Sequence, residues 1–476
     1  MLDRRTGLPL RRSLFCKGVK MYYRDTIAAI ATPPGEGGIS IIRISGDDAI
    51  AVADRVFSAA NGRPLADSAG YTAHFGSFAA EKQIIDNGIA LIYRAPKSYT
   101  GENTAELMCH GGETVSEMLL RAVYDSGARP ADAGEFTKRA FLNGKRSLTE
   151  AEAVRDIISS RTKQGVAAAV AASGGALYKK TNELKTEILK VGAHIAASLD
   201  YPEEDVEPVD DRLLLSALKG VKNQLDGLLA GYETGAAALR GIPTAIAGTP
   251  NVGKSTLLNL IAGYERSIVT AIPGTTRDIV EQAVRLGRAT LILSDTAGIR
   301  ETDDEVESIG VRLAREKIEG AQLILCVFDL SRELNSDDRR VIDTVKGRRV
   351  IPIINKTDLP AVCDCKYIEN ELGPAIYISA KDRAALDKLD AEVSRVMGLD
   401  HFDSDAPMLA NERQRAAAHR AAGHIAEAVD MIENGVTLDA AAISIEAAHG
   451  ALCELSGENA ADSVIEEIFK SFCVGK

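Results

Sequence analysis

The stretch Gly248–Ser255, which reads "GTPNVGKS", decides the fold of the central part of this 476-residue chain. It fits the pattern G-x-x-x-x-G-K-[S/T], follows the apolar run "PTAIAG" and opens the helical run "STLLNLIAG". A strand, a glycine-rich loop and a helix in that order predict a phosphate-binding loop, whose backbone N–H groups wrap phosphates at the helix N-terminus. Lys254 is predicted to reach the β- and γ-phosphates, and Ser255 to bind Mg²⁺. The loop residues expected to contact the nucleotide are Asn251, Val252, Gly253, Lys254, Ser255 and Thr256.

Two shorter motifs downstream extend the predicted phosphate site. The run "TAIPGTTRD" supplies a switch loop in which Thr276 is predicted to be a second hydroxyl ligand of Mg²⁺. Asp295–Gly298 follows the apolar strand "TLILS", so its carboxylate can hold a Mg²⁺-bound water and its last N–H can meet the γ-phosphate. The residues assigned to the nucleotide here are Thr270, Ala271, Ile272, Pro273, Gly274, Thr275, Thr276, Asp295, Thr296, Ala297 and Gly298.

Two further motifs predict which base is bound. Asn355-Lys356-Thr357-Asp358 follows the strand "RVIPII", and Ser379-Ala380-Lys381 follows "AIYI". The Asp358 carboxylate can accept two hydrogen bonds from the ring N–H and the exocyclic amine of guanine, a pair of donors that adenine lacks. Five motifs in this order, each at a strand end, predict that the nucleotide is GTP rather than ATP. The residue after Gly298 is the apolar Ile299 and not a water-orienting glutamine, so another group must orient the attacking water.

The surrounding sequence predicts the architecture. From about Gly241 to Met397, apolar runs such as "LILCVFD" alternate with amphipathic segments, which implies a parallel sheet covered on both faces. Ala- and Leu-rich helical blocks stand on both sides of this segment. The economical interpretation is one helical domain with an inserted Ras-like P-loop α/β domain, and two separate helical domains are the alternative. Earlier in the chain, "GGISIIRISG" and "NGIALIYRAP" read as strands of an α+β domain.

These patterns divide the chain into five segments. Residues 1–20 are expected to be a disordered extension, or to precede a true translation start at Met21, with an organellar presequence as the alternative. The remaining segments are an N-terminal α+β domain (21–143), the first helical part (144–238), the nucleotide domain (239–399) and the second helical part (400–476).

Composition restricts the class of protein. The net charge is −12, so any contact with RNA needs a local basic patch or a basic partner. The seven cysteines include no pair of CxxC units, which favours a reduced cytosolic protein without a zinc cage. No apolar run reaches the roughly 18 residues that a membrane span requires. We therefore expect a cytoplasmic protein with no membrane contact.

Beyond the nucleotide motifs, the chain resembles the MnmE/TrmE family from about Asp25 to Lys476. The resemblance rests on "DTIAAIATPPGEGGISIIRISG", "SYTGENTAELMCHGG", "GEFTKRAFLNGK" and the terminal "IFKSFCVGK". It implies a homodimer joined through N-terminal domains that bind tetrahydrofolate. It also implies a heterocomplex with an MnmG-type protein that uses FAD and NADH. Together the two proteins install an aminomethyl or carboxymethylaminomethyl group on carbon 5 of the wobble uridine of certain tRNAs.

The same resemblance assigns further site residues. It implies K⁺ beside the phosphates in place of an arginine finger, with Asn251, Thr270, Ile272 and Thr275 as ligands, and it implies that Glu307 positions the attacking water. It implies a site for a reduced folate, 5-formyl- or methylenetetrahydrofolate, formed by Arg43, Glu106, Lys145 and Lys476. Without the resemblance, these four residues would be read as ordinary solvated charges.

Two alternatives remain open from the sequence. Cys473, in the apolar run "SFCV", is interpreted as a packed residue, with a nucleophilic role as the alternative. The nucleotide domain alone also fits a regulatory or ribosome-assembly GTPase of the Era/Der kind. The roughly 120 residues before Lys145 and the terminal "CVGK" favour the tRNA-modifying interpretation.

Overall fold

The structure is a computed structural model that describes residues 25–81, 83–160, 162–200, 210–263, 281–294 and 318–476. The chain divides into two compact units, residues 1–155 together with 450–476, and residues 156–449. Each unit is built around one β-sheet with helices packed on it. The strands are β1 (Ile27–Ile30), β2 (Gly37–Ser45), β3 (Phe57–Ala59), β4 (Thr72–Ala80), β5 (Gln83–Tyr93), β6 (Thr104–Gly111), β7 (Arg129–Pro130), β8 (Ile242–Ala247), β9 (Glu281–Leu286), β10 (Ala289–Ser294), β11 (Leu323–Asp329), β12 (Val350–Asn355) and β13 (Ile376–Tyr377).

The helices account for the Ala- and Leu-rich blocks of the sequence. They are α1 (Ala49–Val56), α2 (Glu113–Asp125), α3 (Glu135–Leu142), α4 (Leu148–Ser159), α5 (Lys163–Ser173), α6 (Ala176–Asp200), α7 (Asp211–Ala230), α8 (Tyr232–Arg240), α9 (Lys254–Ala262), α10 (Ser336–Val345), α11 (Cys365–Leu372), α12 (Ala384–Val396), α13 (Glu412–Glu433), α14 (Leu438–Ser456) and α15 (Asp462–Lys470). Short 3₁₀ turns cover Leu65–Asp67 and Leu399–His401. No helix among these residues is long and apolar enough to cross a membrane.

The first unit contains a seven-stranded sheet in the order β3-β4-β5-β6-β2-β1-β7. Neighbours pair antiparallel except β1 and β7, which pair parallel. Side chains alternate between the two faces of a strand, so Ile42 and Ile44 of β2 lie on one face and Arg43 lies on the other. Ile42 and Ile44 are fully buried in the core that α1 and α2 form against the sheet. The opposite face therefore keeps the polar side chains of β2 and its neighbours.

The second unit contains a six-stranded sheet in the order β13-β12-β11-β8-β10-β9. Strands β8 and β10 to β13 pair parallel, as the alternating pattern predicts. The central strand β11 is buried at every position, and its alternate residues enter two different cores. Leu325 contributes to one core and Phe328 to the other. The prediction of a sheet covered on both faces is confirmed.

Strand β9 departs from the predicted parallel arrangement. It lies at the sheet edge and pairs antiparallel with β10. The two strands are joined by a tight connection through Gly287, which has φ 52°. Antiparallel strands can be joined by such a two-residue turn, whereas parallel strands need a long crossover. The run "EQAVRL" has too few residues for its hydrophobic periodicity to predict this strand.

The helical blocks are confirmed, with interruptions. The run that reads as continuous helix after Leu148 breaks between α5 and α6 at Gly174-Gly175, where Gly175 has φ 85°. A residue in that left-handed conformation ends a helix, and glycine adopts it without steric cost. In the second unit, α7 packs along α13 through apolar residues at helical spacing, among them Leu218 and Leu225. The division of the chain into five segments remains a prediction.

Candidate functional sites

The predicted phosphate-binding loop joins β8 to α9, as its strand–loop–helix context requires. Two of its residues take left-handed backbone conformations, Asn251 with φ 64° and Gly253 with φ 102°. Asparagine tolerates this region better than most residues, and glycine enters it freely. A side chain at Gly248 would collide with the carbonyl oxygen of Val327, so this position needs glycine. The loop is therefore shaped by its own residue types to turn N–H groups inward at the start of α9.

Lys254 begins α9 and its ammonium reaches back over the loop. Its Nζ donates hydrogen bonds to the carbonyl oxygens of Gly248 (2.7 Å) and Thr249 (2.8 Å). Burial lowers the pKa of this ammonium. An anionic phosphate at the loop would favour its charged form, which matches the predicted role of the residue. Ser255 is exposed on the first helical turn, where its hydroxyl is free to approach a metal ion.

Asn355 connects the phosphate loop to the segments assigned to the base. Its side chain is 3% exposed, donates to the carbonyl oxygen of Val252 (2.8 Å) and accepts from the amide of Ala380 (2.9 Å). Both ends of the amide are thus used, one on the phosphate loop and one on the Ser379–Lys381 segment. A buried amide whose groups are all satisfied fixes its neighbours in one arrangement. Three motifs that are far apart in sequence are therefore held together by one side chain.

The Asp358 carboxylate stands at the position predicted for guanine recognition. It accepts hydrogen bonds from Ser379 Oγ (3.0 Å) and from Lys381 Nζ (3.0 Å). These contacts, Lys381 first and Ser379 second, lower the pKa of Asp358. The group is consequently an ionised acceptor, and the Ser379–Lys381 segment buttresses it as the sequence predicts. Lys356, the second residue of the same motif, pairs instead with Asp329 at the end of β11 (2.6 Å).

A hydrogen-bonded cluster beneath the phosphate loop has no counterpart in the sequence predictions. The carboxylate of Asp338 is 1% exposed and receives Thr249 Oγ1 of the loop at 2.7 Å. Arg332 donates to both of its oxygens, at 2.6 and 2.8 Å, and to Thr249 Oγ1 at 2.8 Å. Burial raises the pKa of Asp338, but hydrogen bonds from Arg332, the Asn335 amide and Thr249 lower it overall. We call Thr249, Arg332 and Asp338 the loop clamp.

Asp338 also belongs to the capping box of α10. Asn335 Oδ1 accepts from the Asp338 amide (2.9 Å), and the Asp338 carboxylate accepts from the Asn335 amide (3.0 Å). The spacing N-x-x-D in "NSDD" signals such a cap. It does not signal the contact with Thr249, which lies 89 residues away in the chain.

We expect Asp338→Asn to weaken both the fold and nucleotide binding. The substitution removes the charge opposite Arg332, and breaking a largely buried ion pair costs about 1–3 kcal/mol when one partner is partly solvated. Chemical denaturation and GDP titration would measure the two effects. The control is Asp337→Asn, the exposed neighbour on the same helical turn, which should change stability by less than about 0.5 kcal/mol. Equal behaviour of the two variants would contradict a role for the clamp.

On the polar face of the first unit, Arg43 and Glu106 meet directly. They are register partners on β2 and β6, and Arg43 Nε donates to Glu106 Oε1 at 2.8 Å. Both side chains are mostly buried, 17% and 14% exposed. The guanidinium of Arg43 also lies over the rings of Tyr99 (5.6 Å) and Phe136 (5.8 Å), and Tyr93 Oη donates to Glu106 Oε2 (3.4 Å). The Arg43–Glu106 ion pair is therefore held in one orientation and lies next to aromatic rings.

The C-terminal tail enters this same face. Arg43 Nη1 donates to the carbonyl oxygen of Gly475 (3.3 Å). Gly475 has φ 93°, and a side chain there would collide with the carbonyl oxygen of Ile30, so glycine is required. Burial first, and then the charge of Arg43, lower the pKa of Lys476. Arg43, Glu106 and Lys476 are thus brought together from β2, β6 and the last residue of the chain.

Comparison with known proteins decides the family. The description "GTP-binding protein TrmE N-terminus" matches residues 26–145, and "MnmE helical domain" matches residues 148–473. A "tRNA modification GTPase MnmE" of Symbiobacterium thermophilum is 41% identical over 95% of this chain and 99% of its own length. The protein of the same name from Enterococcus faecalis is 40% identical over 95% of this chain and 98% of its own length. The chain belongs to the MnmE/TrmE family.

Within this MnmE/TrmE chain, one residue of the sequence analysis differs from expectation. Cys473 is exposed, so the prediction that it is packed is wrong. Phe472 is buried in its place, against Phe469 of α15.

Lys145, the fourth residue assigned to the folate site, is exposed, and its Nζ donates to the carbonyl oxygen of Pro96 (3.1 Å). Its assignment stays a prediction.

Several assigned residues of the MnmE/TrmE chain lie outside the described residues. They are Thr270, Ala271, Ile272, Pro273, Gly274, Thr275, Thr276, Asp295, Thr296, Ala297, Gly298, Ile299 and Glu307, together with the extension 1–20. Their assignments as switch, K⁺, Mg²⁺ and catalytic residues stay predictions.

Proposed function

We propose that this protein hydrolyses GTP and uses the reaction in the modification of tRNA. The observation that carries the GTP part is the side chain of Asn355, which joins the phosphate loop at Val252 to the segment that buttresses Asp358. Phosphate and guanine contacts are then fixed relative to each other, as recognition of one nucleotide requires. The tRNA part is supported by membership of a family whose relatives are named tRNA modification GTPases.

In this proposal two cations assist phosphoryl transfer. Mg²⁺ is bound by Ser255 and Thr276, and K⁺ by Asn251, Thr270, the carbonyl of Ile272 and Thr275. Charge builds on the phosphate oxygens during transfer, and a fixed cation stabilises it without an arginine from a second protein. The exposed side chain and left-handed backbone of Asn251 support its part, because the amide is presented outward from the loop.

Hydrolysis should be clearly faster in KCl than in NaCl at equal ionic strength, by roughly tenfold or more if K⁺ supplies several kcal/mol of stabilisation. Asn251→Gly is the suitable variant, because glycine retains the φ of 64° that alanine would strain by about 1–2 kcal/mol. It should lose most of the K⁺ stimulation while binding GDP normally. Equal rates in the two salts would remove the proposed K⁺ site, and absence of hydrolysis in both would remove the proposed function.

We propose further that the polar face of the first unit binds a reduced folate, 5-formyl- or methylenetetrahydrofolate. A glutamate can accept two hydrogen bonds from the ring N–H and the amino group of a pterin. Glu106 is oriented for such contacts by Arg43 and Tyr93. Arg43, Lys145 and Lys476 supply positive charge for the carboxylates or carbonyls of the ligand. Burial lowers the pKa of the Lys476 ammonium, and an anion beside it would favour its charged form.

Glu106→Gln should weaken folate binding by about tenfold or more in calorimetric titration of the full chain. The change removes one charged acceptor, and a hydrogen bond to a charged group contributes roughly 1.5–3 kcal/mol. GTP hydrolysis should persist, because the nucleotide site lies in the other unit, and an unchanged melting temperature would show that the variant is folded. The matched control is Glu117→Gln, on the exposed side of α2. If wild type shows no heat with 5-formyltetrahydrofolate, the folate proposal is wrong.

The remaining parts of the proposal concern partners and place. We propose a homodimer that works in the cytoplasm, in a heterocomplex with an MnmG-type FAD protein, on the wobble uridine of certain tRNAs. The one-carbon unit on carbon 5 of that uridine comes from the folate, and the reducing equivalents come from the flavin partner. The proposed organisation has three domains. They are an α+β folate domain (21–143), a discontinuous helical domain (144–238 and 400–476) and an inserted nucleotide domain (239–399).

A further inference from the structure

Two cysteines are the first and third residues of a three-residue turn that follows the guanine-recognition motif. Cys363 lies in the connection from β12 to α11, and Cys365 is the first residue of α11, a few residues after Asp358. The amide of Cys365 donates to the carbonyl oxygen of Cys363 at 3.0 Å, and the intervening Asp364 has φ −76° and ψ 79°. These values define an inverse γ-turn. Two peptide steps span at most about 7 Å, and closing the turn brings the Cα atoms into the roughly 4.4–6.8 Å range that a disulfide bridges.

The thiol of Cys365 has two neighbours that respond to it. It lies close enough to the thiol of Cys363 and to the hydroxyl of Tyr377 to raise the pKa of both groups. Tyr377 is itself held by a hydrogen bond to Glu369 Oε1 at 3.1 Å. Both cysteines are half-buried, so part of each side chain is accessible from solvent. In the described part of the chain, Cys109, Cys326 and Cys453 are buried, and the exposed Cys473 lies in the other unit.

The environments of the two thiols differ. Burial first, and the neighbouring thiol of Cys365 second, raise the pKa of Cys363 to about 12. Cys365 is the first residue of α11. Cys365 is accordingly the attacking sulfur, and Cys363 is the one that resolves the product.

We propose that Cys363 and Cys365 form a reversible intramolecular disulfide, a modification site for low-molecular-weight disulfides. The Cys365 thiolate attacks one sulfur of the reagent RS–SR, and RS⁻ leaves with its electron pair. Cys363 then loses its proton and attacks the Cys365 sulfur, which expels the second RS⁻. The two protons released by the cysteines end on the two RS⁻ ions. Two protein thiols are oxidised to one disulfide, and one reagent disulfide is reduced to two thiols.

The cysteine turn is hydrogen-bonded to the loop that carries Arg332 of the loop clamp. The amides of Val362 and Cys363 both donate to the carbonyl oxygen of Leu330, at 2.9 and 3.0 Å. Arg332 of the loop clamp follows Leu330 by two residues. A disulfide formed in this turn would therefore act on the segment that follows Asp358. That segment is hydrogen-bonded to Leu330, two residues before Arg332 of the loop clamp. This inference goes beyond the proposed function and does not depend on tRNA or folate.

The test uses the full chain, reduced, freed of reductant and incubated with glutathione disulfide. After an acid quench, free thiols are blocked with iodoacetamide and the protein is digested with trypsin. Cleavage after Lys356 and Lys366 leaves both cysteines in one peptide, "TDLPAVCDCK". We expect this peptide without iodoacetamide or glutathione label and two hydrogens lighter than its reduced form. Dithiothreitol should return it to the doubly labelled form. Cys473 is the internal control, because it has no paired thiol and should keep a glutathione adduct.

Two variants test the assigned roles, and GDP binding verifies that each is folded. Cys363→Ser should accumulate a stable glutathione adduct on Cys365. Cys365→Ser should gain its adduct on Cys363 much more slowly. A peptide that stays doubly labelled in wild type, or that carries a stable adduct instead of an internal bond, would overturn the proposal. So would a disulfide that forms no faster in the folded chain than in guanidinium chloride, because the turn would then contribute nothing.

Discussion

Asp358→Asn is expected to lower the affinity for GTP by roughly 10²–10⁴-fold and to create a preference for xanthosine triphosphate. The wild-type carboxylate is ionised and offers only acceptors to the base. Asparagine replaces one acceptor with an N–H donor, which then opposes the exocyclic amine of guanine. Xanthine carries a carbonyl oxygen at that position, so the new donor is matched. The gain of a new ligand distinguishes altered recognition from a damaged fold.

The geometry of the site confines the effect of this substitution to recognition of the base. Ser379 Oγ donates to Asp358 Oδ1 and Lys381 Nζ donates to Oδ2, at 3.0 Å each. Asparagine can keep its single oxygen toward Lys381 and donate an amide N–H to the Ser379 hydroxyl, which can accept a hydrogen bond as well as donate one. Asn355, which joins the phosphate loop to this segment, is unaffected because it bonds Val252 and Ala380 instead. The shape of the site should therefore survive while its hydrogen-bonding pattern changes.

Affinities for GTP, ATP and xanthosine triphosphate would be measured on wild type and variant by competition with a fluorescent nucleotide. The matched control is Asp382→Asn, since Asp382 is an exposed aspartate one residue beyond Lys381 whose carboxylate accepts from the local amide of Ala384. The control should bind GTP as wild type does. An Asp358→Asn variant with unchanged GTP preference would show that guanine is recognised elsewhere.

The nucleotide site could be predicted because each of its motifs is a short, continuous stretch of sequence. The sequence Gly248–Ser255 carries the glycines, the lysine and the serine of one loop, and the loop folds at the strand–helix junction that those residues require. Asn355 and Asp358 were predicted because each follows an apolar strand, and parallel strands end at the same edge of a sheet. Strand β9 was missed because a six-residue edge strand, in which Val284 and Leu286 are buried, is too short to show a distinctive period.

Contacts that depend on register or on distant loops could not be predicted in this way. Arg43 and Glu106 are 63 residues apart, and only the pairing of β2 with β6 makes them partners. The sequence identified them through family resemblance and not through their contact. The loop clamp is equally non-local, since Arg332 and Asp338 belong to a loop and helix cap with an ordinary capping signal. Cys473 was misjudged because an apolar tripeptide does not show which of its side chains enters the core.

The group that positions the attacking water is one part of the proposed mechanism that rests on the sequence. Ile299 stands where Ras-like enzymes have a glutamine, and an apolar side chain cannot orient water. Glu307 follows in the acidic run "ETDDEVES", outside the described residues. A carboxylate in that loop can reach the attacking water once the switch segments close on the γ-phosphate. The competing interpretation is that Glu307 only caps or solvates the helical sequence "SIGVRLAREKIEG" that follows it.

Glu307→Ala separates these interpretations by magnitude. Loss of a water-orienting base lowers the rate by about 10²–10⁴-fold, whereas loss of a helix cap costs about 1 kcal/mol of stability. We therefore expect the variant to bind GTP normally, to hydrolyse it at a few per cent of the wild-type rate or less, and to stall tRNA modification. Single-turnover hydrolysis, GTP affinity and melting temperature would be measured on one preparation. Glu305→Ala, two residues earlier in the same acidic run, is the control and should hydrolyse GTP within a few-fold of wild type. If Glu307→Ala also stays within a few-fold while its melting temperature falls, the capping interpretation is correct and the attacking water is positioned by another residue.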